Sequence, residues 1–226
     1  MRLESDPGRP HLRWLARSAF RPIPTTMTGR PLKRELSSDD ALLIVDLQND
    51  FLPGGSLAVP EGDAVIAPLN RCIAVFTSAE LPVIATRDWH PPEHCSFLSR
   101  GGPWPAHCVQ QTSGAGFAPG LALPANAWVV DKATDPERDD YSEFSVAGFD
   151  AALRTRGIHR LFMGGLATEY CVRETVLDAL RRGLRVVVLL DCIRPIERRP
   201  GDGERAIASM KQAGADFCRV GDLAPC

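Results

Sequence analysis

From residue 40 onward, short apolar runs alternate with segments whose apolar positions recur at helical spacing. "ALLIVD" (41–46) is apolar up to its last residue, the pattern of a strand buried on both faces. "DAVIAPLNRCIAVFTSAE" (63–80) predicts a helix that tolerates Pro68 only near its first turn. "LPVIATRD" (81–88) and "AWVVDK" (127–132) read as the second and third strands, separated by a long Gly-, Pro- and His-rich stretch. "GFDAALRTRG" (148–157) predicts a short helix closed by Gly157, and "HRLFMGG" (159–165) a fourth strand. A helix from Thr168 to Arg182, ended by Gly183, leads to a fifth strand, "LRVVVLLD" (184–191). The helix "GERAIASMKQAG" (203–214) and a short last strand, "ADFCRV" (215–220), complete the series. Such alternation implies right-handed crossovers and a mostly parallel sheet with helices on both faces. The expected fold is α/β, a single doubly wound domain over residues 38–226.

Residues 1–37 break the pattern. They are rich in Arg and Pro, show no sustained period, and read as a flexible basic extension. "HLRWLARSAF" (11–20) has the make-up of a short basic amphipathic helix, which raises a transit leader; the early Glu4 and Asp6 count against one. The plainer readings are a tail, or a chain that starts at Met27.

Composition narrows the function classes. Of 226 residues, 44% are hydrophobic and 24% charged, which suits a globular protein with a real core. A formal net charge of −2 offers no basic field for nucleic acid or a membrane surface. The apolar run Val186 to Leu190 is far too short to cross a bilayer. Seven cysteines, odd in number and scattered, fit free thiols in a reducing compartment, so a cytoplasmic location is expected.

In open parallel sheets the binding crevice lies outside the carboxyl ends of the strands. The first strand ends in Asp46, the second in Asp88 and the third in Lys132, and the fourth leads to Cys171. With Thr168 as N-cap, Cys171 falls at the third helical position, where the helix dipole favours the thiolate and backbone N–H groups can bind an oxyanion. Taken singly, each residue has a plainer reading. Cys171 could be a small buried hydrophobe, Asp46 a solvated loop carboxylate, and Lys132 a surface lysine at a strand end. Their convergence on one rim argues for chemistry. Three of five histidines, His90, His94 and His107, lie close together, and Asp88 stands two residues before the first. One carboxylate with two or three imidazoles suits zinc, iron or manganese, with water in the open positions. The alternative is a set of histidines packed on Trp89 and Trp104 without an ion.

These runs together resemble the nicotinamidase/pyrazinamidase branch of the isochorismatase-like cysteine hydrolases. "VDLQNDFLPGG", "TRDWHPPEHCSF", "WPAHCVQQTSGA", "DKATDPERDDYSEF" and "GGLATEYCV" occur in that family's order and span nearly everything after the leader. The resemblance implies a six-stranded parallel sheet flanked by helices. It implies a catalytic triad of Asp46, Lys132 and Cys171, with an oxyanion hole formed by the backbone N–H groups of Ala167 and Cys171. Metal ligands map onto Asp88, His90 and His107, with His94 as the further ligand some members use. Phe51 and Trp104 match the aromatic residues that sandwich a pyridine ring, with Tyr141 as another candidate. A cis peptide is implied at Leu166–Ala167. The implied cofactor is one divalent metal ion, zinc first, with iron or manganese as alternatives. The implied reaction is hydrolysis of nicotinamide to nicotinate and ammonia through a cysteine thioester, with pyrazinamide also accepted. Glu169 stands where many members carry Asp, at a position expected to be peripheral. Two other readings compete. One is an amidase of the same family acting on a ureido or carbamoyl substrate, although such relatives generally lack the metal set. The other is a non-enzymatic metal-binding or thiol-sensing protein, which leaves the convergence of Asp46 and Lys132 unexplained. The expected partner is a small-molecule substrate, not nucleic acid or a membrane, with a homo-oligomer left open.

Overall fold

The computed structural model describes residues 33–224, so the expected basic extension over 1–37 lies outside the described residues up to residue 32, as do Pro225 and Cys226; its last residues belong to the fold, with Arg34–Glu35 in a strand and Leu36 buried. The main sheet has six strands, β2 (Asp40–Val45), β3 (Val83–Asp88), β4 (Trp128–Lys132), β5 (Arg160–Leu166), β6 (Arg185–Arg194) and β7 (Asp216–Cys218). They are all parallel, in the order β4-β3-β2-β5-β6-β7. Two residues at each end of the described chain, β1 (Arg34–Glu35) and β8 (Leu223–Ala224), pair in a separate two-stranded parallel sheet. The helices are α1 (Ile66–Ser78), α2 (Phe149–Thr155), α3 (Arg173–Arg181) and α4 (Asp202–Gln212).

The strand β2 explains the layering. Every residue in it is buried, and its side chains alternate between two cores. Leu42 and Ile44 pack with Leu69, Cys72 and Phe76 of α1 on one face. Ala41, Leu43 and Val45 pack with Leu153 of α2, Val176 of α3 and Met210 of α4 on the other. A strand with two dry faces has no place for a polar side chain until it leaves the sheet, which is why the run ends at Asp46. The first predicted helix begins as a 3-10 turn, Gly62–Val65, before α1. Pro68 is the third residue of α1, where its missing N–H removes no intrahelical bond.

The strand order reverses between β2 and β5, and this switch point is where a crevice opens above a doubly wound sheet. The two strands run very close there. A Cβ on Gly165, whose φ is +133°, would stand 1.9 Å from the carbonyl oxygen of Val45, so only glycine fits. Among the described residues, no helix is long and apolar enough to cross a membrane.

Candidate active site

Three strand ends deliver charged groups to the switch point. Asp46 follows β2 with φ at +46°, and Ala133, just after Lys132, has φ at +52°. Left-handed backbone at residues other than glycine is uncommon, and here it turns the chain sharply off the sheet beside both side chains. Asp88 and Lys132 are paired neighbours at the ends of β3 and β4. Lys132 Nζ lies 2.9 Å from Asp46 Oδ2, contacts Asp88 Oδ1, and donates to Cys171 Sγ at 3.4 Å. The Thr86 hydroxyl donates to Asp46 Oδ1 at 2.8 Å, whereas Oδ2 receives no well-directed hydrogen bond.

Burial sets the protonation of this cluster. It pushes Asp46 up to about 7, against the pull of Lys132. Burial also opposes the charge on Lys132, but Asp46 and Asp88 outweigh it and hold that pKa well above the ordinary lysine value. For Asp88, Lys132 and the neighbouring histidines overcome burial and keep its pKa low. Cys171 departs from expectation. Burial pushes its pKa well above the ordinary thiol value, with Lys132 opposing and Asp46 and Asp88 adding to the rise. The resting group is therefore a thiol that needs a base, not a thiolate made by a helix end.

The backbone at Cys171 explains the difference. The strand β5 leads through a cis Leu166–Ala167 peptide into a π-turn, Thr168–Val172, interrupted at Tyr170 (φ −115°, ψ −106°). Ala167, not Thr168, is the N-cap of this turn, and the regular helix α3 starts only at Arg173. Tertiary contacts hold the turn in that shape. The Glu169 carboxylate accepts the backbone N–H groups of Ile196 and Glu197 at 3.2 and 2.8 Å, and Thr168 is buried. Glu169 thus anchors the turn and is not peripheral.

Asp88, His90 and His107 each offer one ligand atom, and these atoms all lie within 4.8 Å of one another. His90 Nδ1 is 3.0 Å from the His107 carbonyl, and His107 Nδ1 is 2.8 Å from that of Pro105. A carbonyl only accepts, so both rings carry the proton on Nδ1 and present a bare Nε2. One carboxylate and two imidazoles oriented through carbonyls fit a divalent metal ion. His94 does not share this set. Its Nδ1 faces the Ser96 hydroxyl at 2.7 Å and its Nε2 faces the Arg138 carbonyl at 3.0 Å, so neither nitrogen is free. The ring packs beside His90 at 4.4 Å between centroids.

Burial pushes His90 down to about 4 from an ordinary 6.5, with Asp88 opposing. Its folded pKa lies below its unfolded one, so below about 6.5 the unfolded chain binds more protons. Stability from the neutral ring is therefore complete above that value and drains away as pH falls toward 4. The thermal midpoint of metal-free protein is expected to drop across this window, and a midpoint flat from pH 6.5 to 4 would contradict the burial of neutral His90.

Phe51, Trp104, Tyr141, Ala167 and Cys171 line one cavity with Asp88 and His107. The Trp104 indole N–H donates to the Tyr141 hydroxyl at 2.9 Å, which ties two of the expected aromatic residues together. Two contributors have no signal in the linear pattern. Tyr170 lines the same cavity and meets Trp104 edge to face at 5.0 Å. Gln48 bridges β2 and β3 from behind: its amide donates to the carbonyls of Asp88 and Ala115 and its oxygen accepts the Asp88 N–H. A second cavity opens at the opposite ends of the strands, beside Arg34, Arg160 and Arg185. Those arginines are paired with Asp216, Asp40 and Asp39, and none of the expected site residues lies there.

A doubly wound sheet that gathers an acid, a lysine and a thiol beside a metal donor set at its switch point has the build of an enzyme with a thiol-centred site. The chain belongs to the isochorismatase family, whose Isochorismatase domain matches residues 40–222. It is 42% identical over 203 residues to a nicotinamidase of Escherichia coli, covering 80% of this chain and 95% of that protein. The pyrazinamidase of Pyrococcus horikoshii, solved in complex with zinc, superposes with a TM-score of 0.77 at 46% identity, covering 80% of this chain and 99% of the other. A relative from L. infantum, solved in complex with nicotinate, gives 0.78 at 36% identity, covering 85% and 99%.

Proposed function

We propose that this protein hydrolyses nicotinamide to nicotinate and ammonia, with pyrazinamide as a second substrate. One observation carries the reading: a single cavity sets Cys171 between aromatic walls and the Asp88–His107 side of a metal donor set. A flat heteroaromatic ring fits the walls, and its carboxamide reaches the thiol. Asp88, His90 and His107 hold the ion, zinc by preference. When bound, it supplies a Lewis-acidic coordination point for the pyridine nitrogen, which fixes the ring relative to the thiol.

The rest follows from the chain's own groups. Asp46, through Oδ2, takes the proton of Cys171, and Lys132 balances the charge on both. The sulfur attacks the carboxamide carbon, and the N–H groups of Ala167 and Cys171 receive the oxyanion. Asp46 returns the proton to the departing ammonia, leaving a thioester. Asp46 next takes a proton from water; the hydroxide releases nicotinate, and the proton returns to sulfur. Holding the reactants in register in this way supplies on the order of 7 kcal/mol of the barrier reduction in favourable systems. Six free cysteines among the described residues suit the reducing cytoplasm as the place of action.

Ammonia release from nicotinamide tests the reading directly. Chelation is expected to abolish it and added zinc to restore it. His90→Ala is expected to lose the ion and to raise KM. A folded, zinc-loaded protein that releases no ammonia would shift the proposal to a ureido or carbamoyl amide, and His90→Ala with full metal and unchanged kinetics would remove the positioning role.

A further inference from the structure

Glu143 has no part in the roles proposed above, yet it is 0% exposed and only one hydroxyl away from Asp46. It opens the 3-10 turn Glu143–Ser145 that precedes α2. Thr86 Oγ1 lies 2.8 Å from Asp46 Oδ1 and 2.7 Å from Glu143 Oε1, and it accepts the Asp46 N–H at 3.2 Å. On the far side, Thr175 Oγ1 lies 2.5 Å from Glu143 Oε2 and 2.6 Å from the carbonyl oxygen of Cys171. Glu143 therefore joins the proposed base to the turn that carries the thiol.

The protons on this chain of contacts can be counted. A threonine hydroxyl has one. Beside an ionised Glu143, Thr86 would face two carboxylate oxygens with a single proton, and donating to Glu143 would take the hydroxyl bond away from Asp46 Oδ1. A proton on Glu143 Oε1 resolves the conflict. Glu143 then donates to Thr86, Thr86 donates to Asp46, and Thr175 shares its proton between Glu143 Oε2 and the Cys171 carbonyl.

The surrounding charges agree. Lys132 is already engaged by Asp46, Asp88 and Cys171, and Glu143 makes no ion pair among the described residues. Arg182 lies over the Phe144 ring at 4.8 Å and pairs with Asp178. A buried carboxylate with no cation in contact is costly, and the neutral acid avoids that cost. Burial lifts the Glu143 pKa above the ordinary carboxylate value, outweighing Lys132 and the two threonine hydroxyls.

We propose that Glu143 is a neutral carboxylic acid that positions Asp46. Through Thr86 it occupies Oδ1, which leaves Oδ2, the oxygen that shares Lys132 with the thiol, as the proton acceptor. The inference rests on the roles given above to Asp46 and Cys171. Glu143 is a positioning residue, because it reaches the reacting atoms only through Thr86 and Thr175. Its neutrality also spares the site a third negative charge opposite one ammonium.

Infrared difference spectra of zinc-loaded protein at neutral pH, wild type minus Glu143→Gln, test the protonation itself. The carbonyl stretch of a protonated carboxylic acid is expected in the wild type and absent from the variant. Loss of carboxylate bands instead would overturn the proposal. Turnover gives the second readout. Glu143→Leu is expected to lower kcat on nicotinamide by about tenfold or more at nearly constant KM, the scale of one hydrogen bond. Gln has the donor and acceptor of the neutral acid, so Glu143→Gln is expected to recover most of that loss; a folded Gln variant as impaired as Leu would overturn the proposal. If the wild type releases no ammonia from nicotinamide, the substrate reading falls, and the infrared bands still decide the state of Glu143.

Discussion

Cys171→Ala is expected to lower kcat on nicotinamide by at least about ten-thousand-fold, with the protein still folded and its metal content unchanged. The size of the effect follows from what the thiol supplies. Among the described residues lining the cavity it is the one thiol, and its thioester lets ammonia leave before water enters. Orientation by the aromatic walls remains in the variant, but orientation without a nucleophile leaves a water attack with no thioester. The substitution removes one sulfur from a buried position and adds no charge, so its structural cost is small beside its kinetic one. Quench-flow with labelled nicotinamide separates the cases further, because the wild type traps label on Cys171 and the variant cannot. Turnover within about tenfold of wild type would remove Cys171 from the mechanism.

Lys132→Met is expected to have the largest effect on stability, about 3–5 kcal/mol, together with a loss of activity. The ammonium stands between Asp46, Asp88 and Cys171, and the side chains of both Lys132 and Asp46 are fully buried. Without it two carboxylates remain in a dry site with no cation of the described residues in contact, and they take up protons instead. The sign of the pH dependence follows. Asp46, already raised above the ordinary 3.8 by burial, rises further, and Asp88 loses the Lys132 charge that helps to hold it down, so above that value the folded chain holds more protons than the unfolded one. Stability of the metal-free variant therefore falls as pH climbs above about 4. Denaturant unfolding of metal-free wild type and variant at pH 4 and pH 8 checks this: the gap between them is expected to widen at the higher pH. A gap that narrows would mean that Lys132 is not the charge holding the cluster together. Activity falls for the same reason, since a protonated Asp46 cannot take the thiol proton.

Much of the site could be read from local pattern. The run "ALLIVD" identified β2 as a strand buried on both faces and put Asp46 at its end. The same strand pattern put Asp88 and Lys132 at the carboxyl ends of β3 and β4, where the crevice of an open parallel sheet lies. Residue type and close spacing picked out Asp88, His90 and His107. The cysteine was found by its place after β5, although the regular helix assigned to it begins two residues later.

Periodicity and strand-end rules work on neighbours in the chain, so the sequence by itself determined the order of elements, the doubly wound class and the residues delivered to the rim. Only the tertiary structure decided what each of those residues is. Burial of Cys171 against two carboxylates makes it a resting thiol. Contacts from Ser96 and Arg138 occupy both nitrogens of His94. Thr86, 40 residues from Asp46 and 57 from Glu143, places a third carboxyl behind the proposed base. Protonation and hydrogen-bond partnership depend on which distant segments the fold brings within about 3 Å and dries, and no linear spacing encodes that.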